Sequence, residues 1–384
     1  MTQSERSSAI TERRTYLKYG CGVQKTRFTP APMDSFNTLY ALSAAAGAAM
    51  LSFLYISVNL IRLGKSLPLS SPPPHTKPVS VNYHFTRKCN KTCAFCFHTE
   101  KSSHVASQDD MKRGLRLLRD AGMRKINFAG GEPFLYPKEL AMLCRFCKEE
   151  LGLESVSIIT NGTRVREGWM RVNARWIDVL GVSCDSFNEE TNIRIGRGTG
   201  ENVTQLFRIR SWCEELGVKF KLNTVVCAHN WQEDMAAIVE RLDPFRWKVF
   251  QVLLVEGEND ADGTADTELD KRKRDARELL ISDEQFRDFC TRHEQLPCFV
   301  PEPNTLMASS YLILDEYLCF LDKGAGREKQ SRCILEVGVQ AALEEVRWDE
   351  EAFRARGGEY DWSKDVQEGS DGGCCGEMSK DLEW

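Results

Sequence analysis

Beyond residue 78 the chain settles into a rhythm that few architectures accept. Short apolar runs at 79–85, 125–129, 156–160, 179–184, 219–226 and 248–255 are separated by amphipathic helical patterns near 108–121, 137–150, 165–175, 201–216 and 232–242. Strands that alternate with helices are joined by crossovers, and crossovers make them parallel. Six such units suit an α/β fold of the partial (βα)6 TIM type better than a full eightfold barrel. The loops that follow the strands of a barrel carry its chemistry. A further helix is expected at 282–294. The barrel is assigned to residues 79–300, and residues 301–384 to a C-terminal extension that covers it.

The segments before the barrel read differently. Residues 1–34 are polar and aperiodic, which predicts disorder. Residues 35–63 form a hydrophobic membrane segment: 35–61 carry no charge, and those 27 residues suffice to cross a bilayer. A single span and a helix lying in the interface both remain open, as does the orientation, because basic residues flank both sides. The segment sits too far from the start for a cleaved signal. Residues 64–78 are a Pro/Ser-rich linker, extended and semi-stiff. A charge-dense stretch at 260–277 reads as a solvated loop. The net charge of −5 excludes a globally basic nucleic-acid binder.

Fifteen cysteines are many for 384 residues. They are scattered, which argues for a reducing compartment and for thiols used as small buried hydrophobes. One group stands apart. Cys89, Cys93 and Cys96 have the spacing C-x3-C-x2-C, directly after the first strand. Three thiolates on one short loop can hold three irons of a 4Fe–4S cluster and leave the fourth without a protein ligand. An open iron can chelate the amino and carboxylate groups of S-adenosylmethionine, and one electron then breaks a C–S bond. Zinc is the competing reading, since His98 would complete a Cys3His set. Cys144 and Cys147 share one face of a helical pattern and are expected in the core; Cys374 and Cys375 lie in a Gly/Asp-rich tail and are expected to be inert.

If the cluster reading holds, later strands should end in useful groups. The second ends in Gly130-Gly131-Glu132-Pro133, whose glycines let backbone approach a ligand and whose Glu132 could accept from an ammonium group. Asn161, after the third strand, and Ser183, at the end of the fourth, are candidates for ribose hydroxyls, although both also suit ordinary turns. In the fifth, alternation sets Lys219, Lys221 and Asn223 on one face. With Lys248, Arg194 and Arg197 they make a cationic pocket for a polyphosphate; the alternative is pairing with acids such as Glu256 or Glu258.

The cysteine run, with the aromatic Phe95 before its last thiol, resembles the signature of the radical S-adenosylmethionine (SAM) superfamily. There that aromatic packs near the adenine and the GGE motif binds the SAM amino group. The segments NYHFTRKCNKTCAFCFHT (82–99), VSCDSF (182–187), NIRIGRG (192–198), RWKVFQ (246–251) and SYLILDEY (310–317) are similar to viperins, over roughly residues 79–364 and the final few. Viperins are antiviral enzymes that dehydrate a nucleoside triphosphate to its 3′-deoxy-3′,4′-didehydro analogue. A 5′-deoxyadenosyl radical takes the C4′ hydrogen and the 3′ hydroxyl leaves as water. The resemblance implies a 4Fe–4S cluster, SAM and a triphosphate such as CTP or UTP. It implies Lys221, Lys248, Arg194 and Arg197 at the phosphates, Asn82 and Asn223 also at the substrate, Val226 at the cofactor, and Tyr311 as a hydrogen donor. It further implies an electron donor, a place on the cytoplasmic face of endoplasmic reticulum or lipid droplets, and recognition of Trp384 by the cytosolic iron–sulfur targeting complex. Two other readings compete with this one: a radical SAM enzyme acting on a peptide or lipid, and a membrane-anchored interaction protein with a structural cluster.

Overall fold

The computed structural model describes residues 77–260, 274–322 and 330–364. The expectations for 1–34, for 35–63, for most of the 64–78 linker and for Cys374, Cys375 and Trp384 lie outside these residues. Among the described residues no helix is long and apolar enough to cross a membrane.

The six expected strands are present as β1 (Ser80–Thr86), β2 (Lys125–Gly130), β3 (Ser155–Thr160), β4 (Val179–Ser183), β5 (Lys219–Val226) and β6 (Arg246–Gln251). They lie in sequential order and are parallel throughout. The helices between them are α1 (Gln108–Asp120), α2 (Pro137–Arg145), α3 (Glu167–Asn173), α4 (Glu189–Ile195), α5 (Asn202–Glu215) and α6 (Ala236–Leu242), with α7 (Asp283–His293) following β6. Start signals are local. Ser107 caps α1 by accepting from the Asp110 N–H, and Ser282 with Gln285 forms a reciprocal capping box on α7. The pattern at 137–150 divides into α2 and a widened π-type turn over Phe146–Glu150. The short α4 was not anticipated; Asn188 caps its start and Gly196, in the left-handed region at φ 86°, ends it.

Two expectations need correction. Among the described residues the sheet has ten strands, the six expected and four more, and the boundary at 300/301 cuts through one of them. β7 (Phe299–Glu302) pairs parallel with β6, and after α8 (Asn304–Ser310) the chain returns so that β8 (Ile313–Leu314) pairs parallel with β1. The antiparallel β9 (Cys319–Leu321) and β10 (Gln330–Cys333) then finish that edge. The extension therefore builds both ends of the sheet rather than only covering it. The reason is hydrogen bonding: an open sheet leaves the edges of β1 and β6 unpaired.

Strand alternation divides the sheet into two faces. Val81, Tyr83, Phe85, Ile126, Phe128, Val156, Ile158, Leu180, Val182, Phe220, Leu222, Trp247 and Val249 form the core against the helices, where Cys144 and Cys147 also lie as expected, fully buried. The other face is polar: Asn82, Lys125, Ser155, Ser157, Ser183, Lys221, Asn223, Arg246, Lys248 and Glu302. The end of this interior near the strand N-termini is covered by the chain after α9 (Glu350–Ala355). There Tyr360 and Trp362 stand 5.2 and 5.4 Å from the Lys125 ammonium, and Ser155 donates to the Trp362 carbonyl at 2.9 Å.

Candidate active site

The three cysteines lie on the loop that leaves β1, and its position is set by close backbone contacts. The Glu132 N–H donates to the Lys88 carbonyl and the Gly131 N–H to the Thr86 carbonyl, both at 2.8 Å. A β-carbon at Gly131 would lie 2.1 Å from the Lys88 oxygen, and one at Gly196 would lie 2.5 Å from the Thr92 oxygen. Only glycine fits at either position. On its far side the loop donates from Thr92 and Ala94 to the carbonyls of Gly196 and Ile195, at the end of α4. Cys93 and Phe95 then sink into an apolar nest with Ile195, Cys227, Val252, Ala276 and Leu279. Arg87, buried just before the thiols, is clamped between Glu316 at 3.0 Å and Glu258 at 3.3 Å.

Burial pushes the Cys89 thiol up to about 11 and the Cys93 thiol up to about 12, and also raises Cys96. They are therefore protonated before metal arrives, and loading a cluster expels protons. Among the described residues no three His, Cys, Asp or Glu side chains surround a point closely enough for a single metal ion. His98 packs edge-on against His84 with centroids 4.4 Å apart. The donor set fits a polynuclear cluster: three thiols on one pinned loop in an apolar nest, with the Arg197 guanidinium lowering all three thiol pKa values.

The residues expected at SAM divide. Phe95 is buried beside the thiols, with Arg197 5.7 Å from its ring centroid and its carbonyl accepting from Asn259 at 2.9 Å. Gly130, at φ 111°, and Gly131 support the cluster loop itself. Glu132 is fully buried. Its Oε1 accepts from Phe134 N–H and Thr160 Oγ1 and its Oε2 from Asn161 N–H, so it ties the end of β2 to that of β3. Burial raises its pKa against these bonds. The Asn161 amide nitrogen faces the cluster loop, 2.9 Å from Asn90 Oδ1 and 3.9 Å from Cys89 Sγ. Ser183 is half-buried on the polar face, in register with Asn223. Val226 is the exception. Alternation turns its side chain into the core on the helix side, so only its backbone can serve the interior.

The cations also divide. Arg197 is buried in an ion pair with Asp185 at the cluster loop, and Arg194 is exposed, 3.4 Å from His229. Lys219 lies at the other end of β5, paired with Asp361 at 2.8 Å. None of the three joins Lys221 and Lys248; Glu258 pairs with Arg87 and Lys101. Lys221 and Lys248 are accompanied by residues the sequence reading passed over: Lys125, Arg246 and Arg356. Among the described residues the carboxylate that touches this group is Glu302, which pairs with Lys248 and lies 3.4 Å from Arg356. Tyr311 sits among them, its hydroxyl accepting from Lys248 Nζ at 2.9 Å and its ring 3.9 Å from the Arg356 guanidinium carbon. Burial, reinforced by the other cations, pushes Lys221 well below the usual lysine range; burial, reinforced by the Arg246 and Lys219 charges, brings Lys125 down to about 7, against Asp178. Asn223 Oδ1, Arg246 Nε, Arg356 Nε and Glu302 Oε2 are buried with no hydrogen-bond partner among the described residues. Orphaned polar atoms gathered around one interior mark a place for a ligand. Asn82 belongs to the same face, donating to the Leu312 carbonyl at 3.2 Å.

The sequence profile of the Radical SAM superfamily matches residues 83–242. An S-adenosylmethionine-dependent nucleotide dehydratase RSAD2 from Danio rerio is 50% identical over 298 residues, 77% of this chain and 81% of the relative. The chain belongs to the viperin family of radical SAM nucleotide dehydratases. A bacterial S-adenosylmethionine-dependent nucleotide dehydratase from Lacinutrix mariniflava is 36% identical over 75% of this chain and 60% of its own length. The crystal structure of Streptococcus suis SuiB bound to S-adenosylmethionine shares the fold at a TM-score of 0.52 and 18% identity, covering 72% of this chain and 67% of that one. The family membership sets aside the peptide or lipid substrate and the non-enzymatic scaffold. This viperin-family chain is an enzyme that uses SAM and a 4Fe–4S cluster to dehydrate nucleotides.

Gly131→Ala tests the loop. The added β-carbon must displace the Lys88 carbonyl, so iron bound after anaerobic reconstitution is expected to fall below half while the cooperative unfolding transition remains. Full iron loading in the variant would contradict the assignment.

Proposed function

We propose that the enzyme dehydrates a nucleoside triphosphate, CTP, UTP or a relative, to its 3′-deoxy-3′,4′-didehydro analogue. One observation carries the choice of a triphosphate: Lys125, Lys221, Arg246, Lys248 and Arg356 are gathered away from the cluster loop, and among the described residues the carboxylate that pairs with any of them is Glu302, against Lys248 and Arg356. Buried charges of one sign are costly unless something of the opposite sign meets them. A polyanion does so, and its bonds to ammonium and guanidinium groups are of the strong, charge-assisted kind. Asn223, Ser183 and Asn82 line the same polar face between that cation group and the thiols and suit sugar hydroxyls.

Cys89, Cys93 and Cys96 would hold the cluster, which with SAM would supply the one-electron chemistry that starts removal of the C4′ hydrogen of the substrate. The protein's part is geometric and electrostatic. The cations fix the phosphate end and so set how far the ribose reaches toward the cluster loop. Arg356 and Tyr360, contributed by the extension, keep water from that end. Tyr311, whose hydroxyl is held by Lys248, is the proposed hydrogen donor of the later step. For the cell we propose an antiviral role on the cytoplasmic face of endoplasmic reticulum or lipid droplets. That placement rests on the uncharged segment 35–61. Cluster delivery through Trp384 is the companion proposal.

In an anaerobic assay with SAM and dithionite, triphosphates are expected to raise 5′-deoxyadenosine formation at least tenfold, whereas the matching nucleosides do not. A panel of CTP, UTP, GTP and ATP ranks the bases. Lys221→Met should raise KM for the triphosphate about 10- to 100-fold, the loss of about 1.5–3 kcal/mol expected for a hydrogen bond to a charged group. Equal stimulation by nucleoside and triphosphate would refute the reading.

The lysines also predict a pH dependence. With Lys125 down at about 7, much of it is neutral at pH 8 in the free enzyme, and a bound polyanion restores its charge. Triphosphate binding should therefore take up protons at pH 8, and affinity should fall as pH rises through 7. Calorimetry in buffers of different ionisation enthalpy measures this uptake; pH-independent binding without proton uptake would contradict it.

A further inference from the structure

Beside the cluster loop, outside the polar interior, lies an open groove of about 940 Å³ between that loop, the loop after β3 and α5. Its lining is basic: Lys91, Arg164, Arg166 and Arg208. The three arginines are exposed, and Arg164 and Arg208 form no ion pair among the described residues. Of the two carboxylates on its wall, Glu167 is already paired with Arg171 at 2.7 Å, which leaves Glu201. This concentration of positive charge runs against a chain whose net charge is −5. The groove wall is also the nearest covalent neighbour of a cluster thiol. Asn90 follows Cys89 directly, donates to Thr163 Oγ1 at 2.9 Å on the opposite wall, and accepts from the Asn161 amide that contacts Cys89 Sγ at 3.9 Å. None of the residues assigned to SAM or to the nucleotide lines it, so a macromolecule seated there leaves the interior open to substrate.

We propose that this groove is the docking surface for an acidic one-electron donor protein of the flavodoxin kind. The inference rests on the radical SAM reading, in which the cluster must be reduced once for each SAM cleaved. In each encounter an anionic flavin hydroquinone gives one electron to the oxidised cluster and becomes the neutral semiquinone, with no proton exchanged. Electron-transfer complexes of this sort are small and transient. Complementary charge makes them fast, and salt weakens them.

The test compares the wild-type chain with Arg164→Glu/Arg208→Glu. Two readouts are taken at low and at physiological ionic strength: binding of an acidic flavodoxin, and 5′-deoxyadenosine formation driven either by that flavodoxin with its NADPH-dependent reductase or by reduced methyl viologen. The double variant should bind flavodoxin at least tenfold more weakly. Its flavodoxin-driven rate should fall in proportion, while its iron content and methyl viologen-driven rate stay at the wild-type level. The wild-type flavodoxin-driven rate should itself fall with salt. Unchanged flavodoxin binding in the variant would overturn the proposal. So would loss of both rates together, which would place the arginines inside the enzyme's own machinery. Loss of binding to phosphatidylserine vesicles with flavodoxin-driven turnover intact would assign the groove to a membrane and equally overturn it. No 5′-deoxyadenosine from the wild type with methyl viologen would instead refute the underlying radical SAM reading.

Discussion

Everything in this enzyme depends on how closely two stretches of backbone approach where β1 and β2 end. Gly131 leaves no room for a β-carbon, which would fall 2.1 Å from the Lys88 oxygen. Because the contact is backbone on backbone, no side-chain rearrangement can relieve a substitution there. The contact, repeated at Gly196 against Thr92, holds the three-thiol loop over the end of the sheet and fixes the cluster relative to the strands beneath it. The GGE motif thus has a structural task beside any contact it makes with SAM, and Glu132 spends its buried carboxylate on joining β2 to β3.

The second constraint is the polar face below the loop. A barrel that only had to fold would fill this space with branched apolar side chains. This one places Lys125, Lys221, Arg246 and Lys248 there and accepts the desolvation cost, visible in the depressed pKa values of the lysines. Glu302 offsets part of that cost, and in the absence of substrate it keeps Lys248, Arg356 and Tyr311 together. Stability is given up for a preorganised anion site, and the extension completes it by bringing Arg356 and Tyr360 to the closed end.

Much of this was legible in the sequence. Periodicity placed six strands and most of the helices, because each element must bury one face. The thiol loop was legible because its spacing is local. Lys125 and Arg246 were within reach of the same alternation argument that found Lys221: Lys125 opens the KINFAG strand and Arg246 stands two residues before Lys248. Glu302, Arg356 and the edge strands β7 and β8 were not legible. Their positions depend on how the extension crosses from one edge of the sheet to the other, and no local pattern encodes that path. The same limit explains Arg194 and Lys219, correctly read as cations but placed away from Lys221 and Lys248, since proximity in a barrel depends on register and depth as well as on face.

The central claim is that the thiol loop and the buried cations hold one nucleotide so that its C4′ hydrogen meets the radical. The most direct measurement uses a triphosphate deuterated at C4′ and follows the label by mass spectrometry after anaerobic turnover. The account predicts one deuterium in 5′-deoxyadenosine for each nucleotide dehydrated. Unlabelled 5′-deoxyadenosine formed alongside dehydrated nucleotide would contradict it.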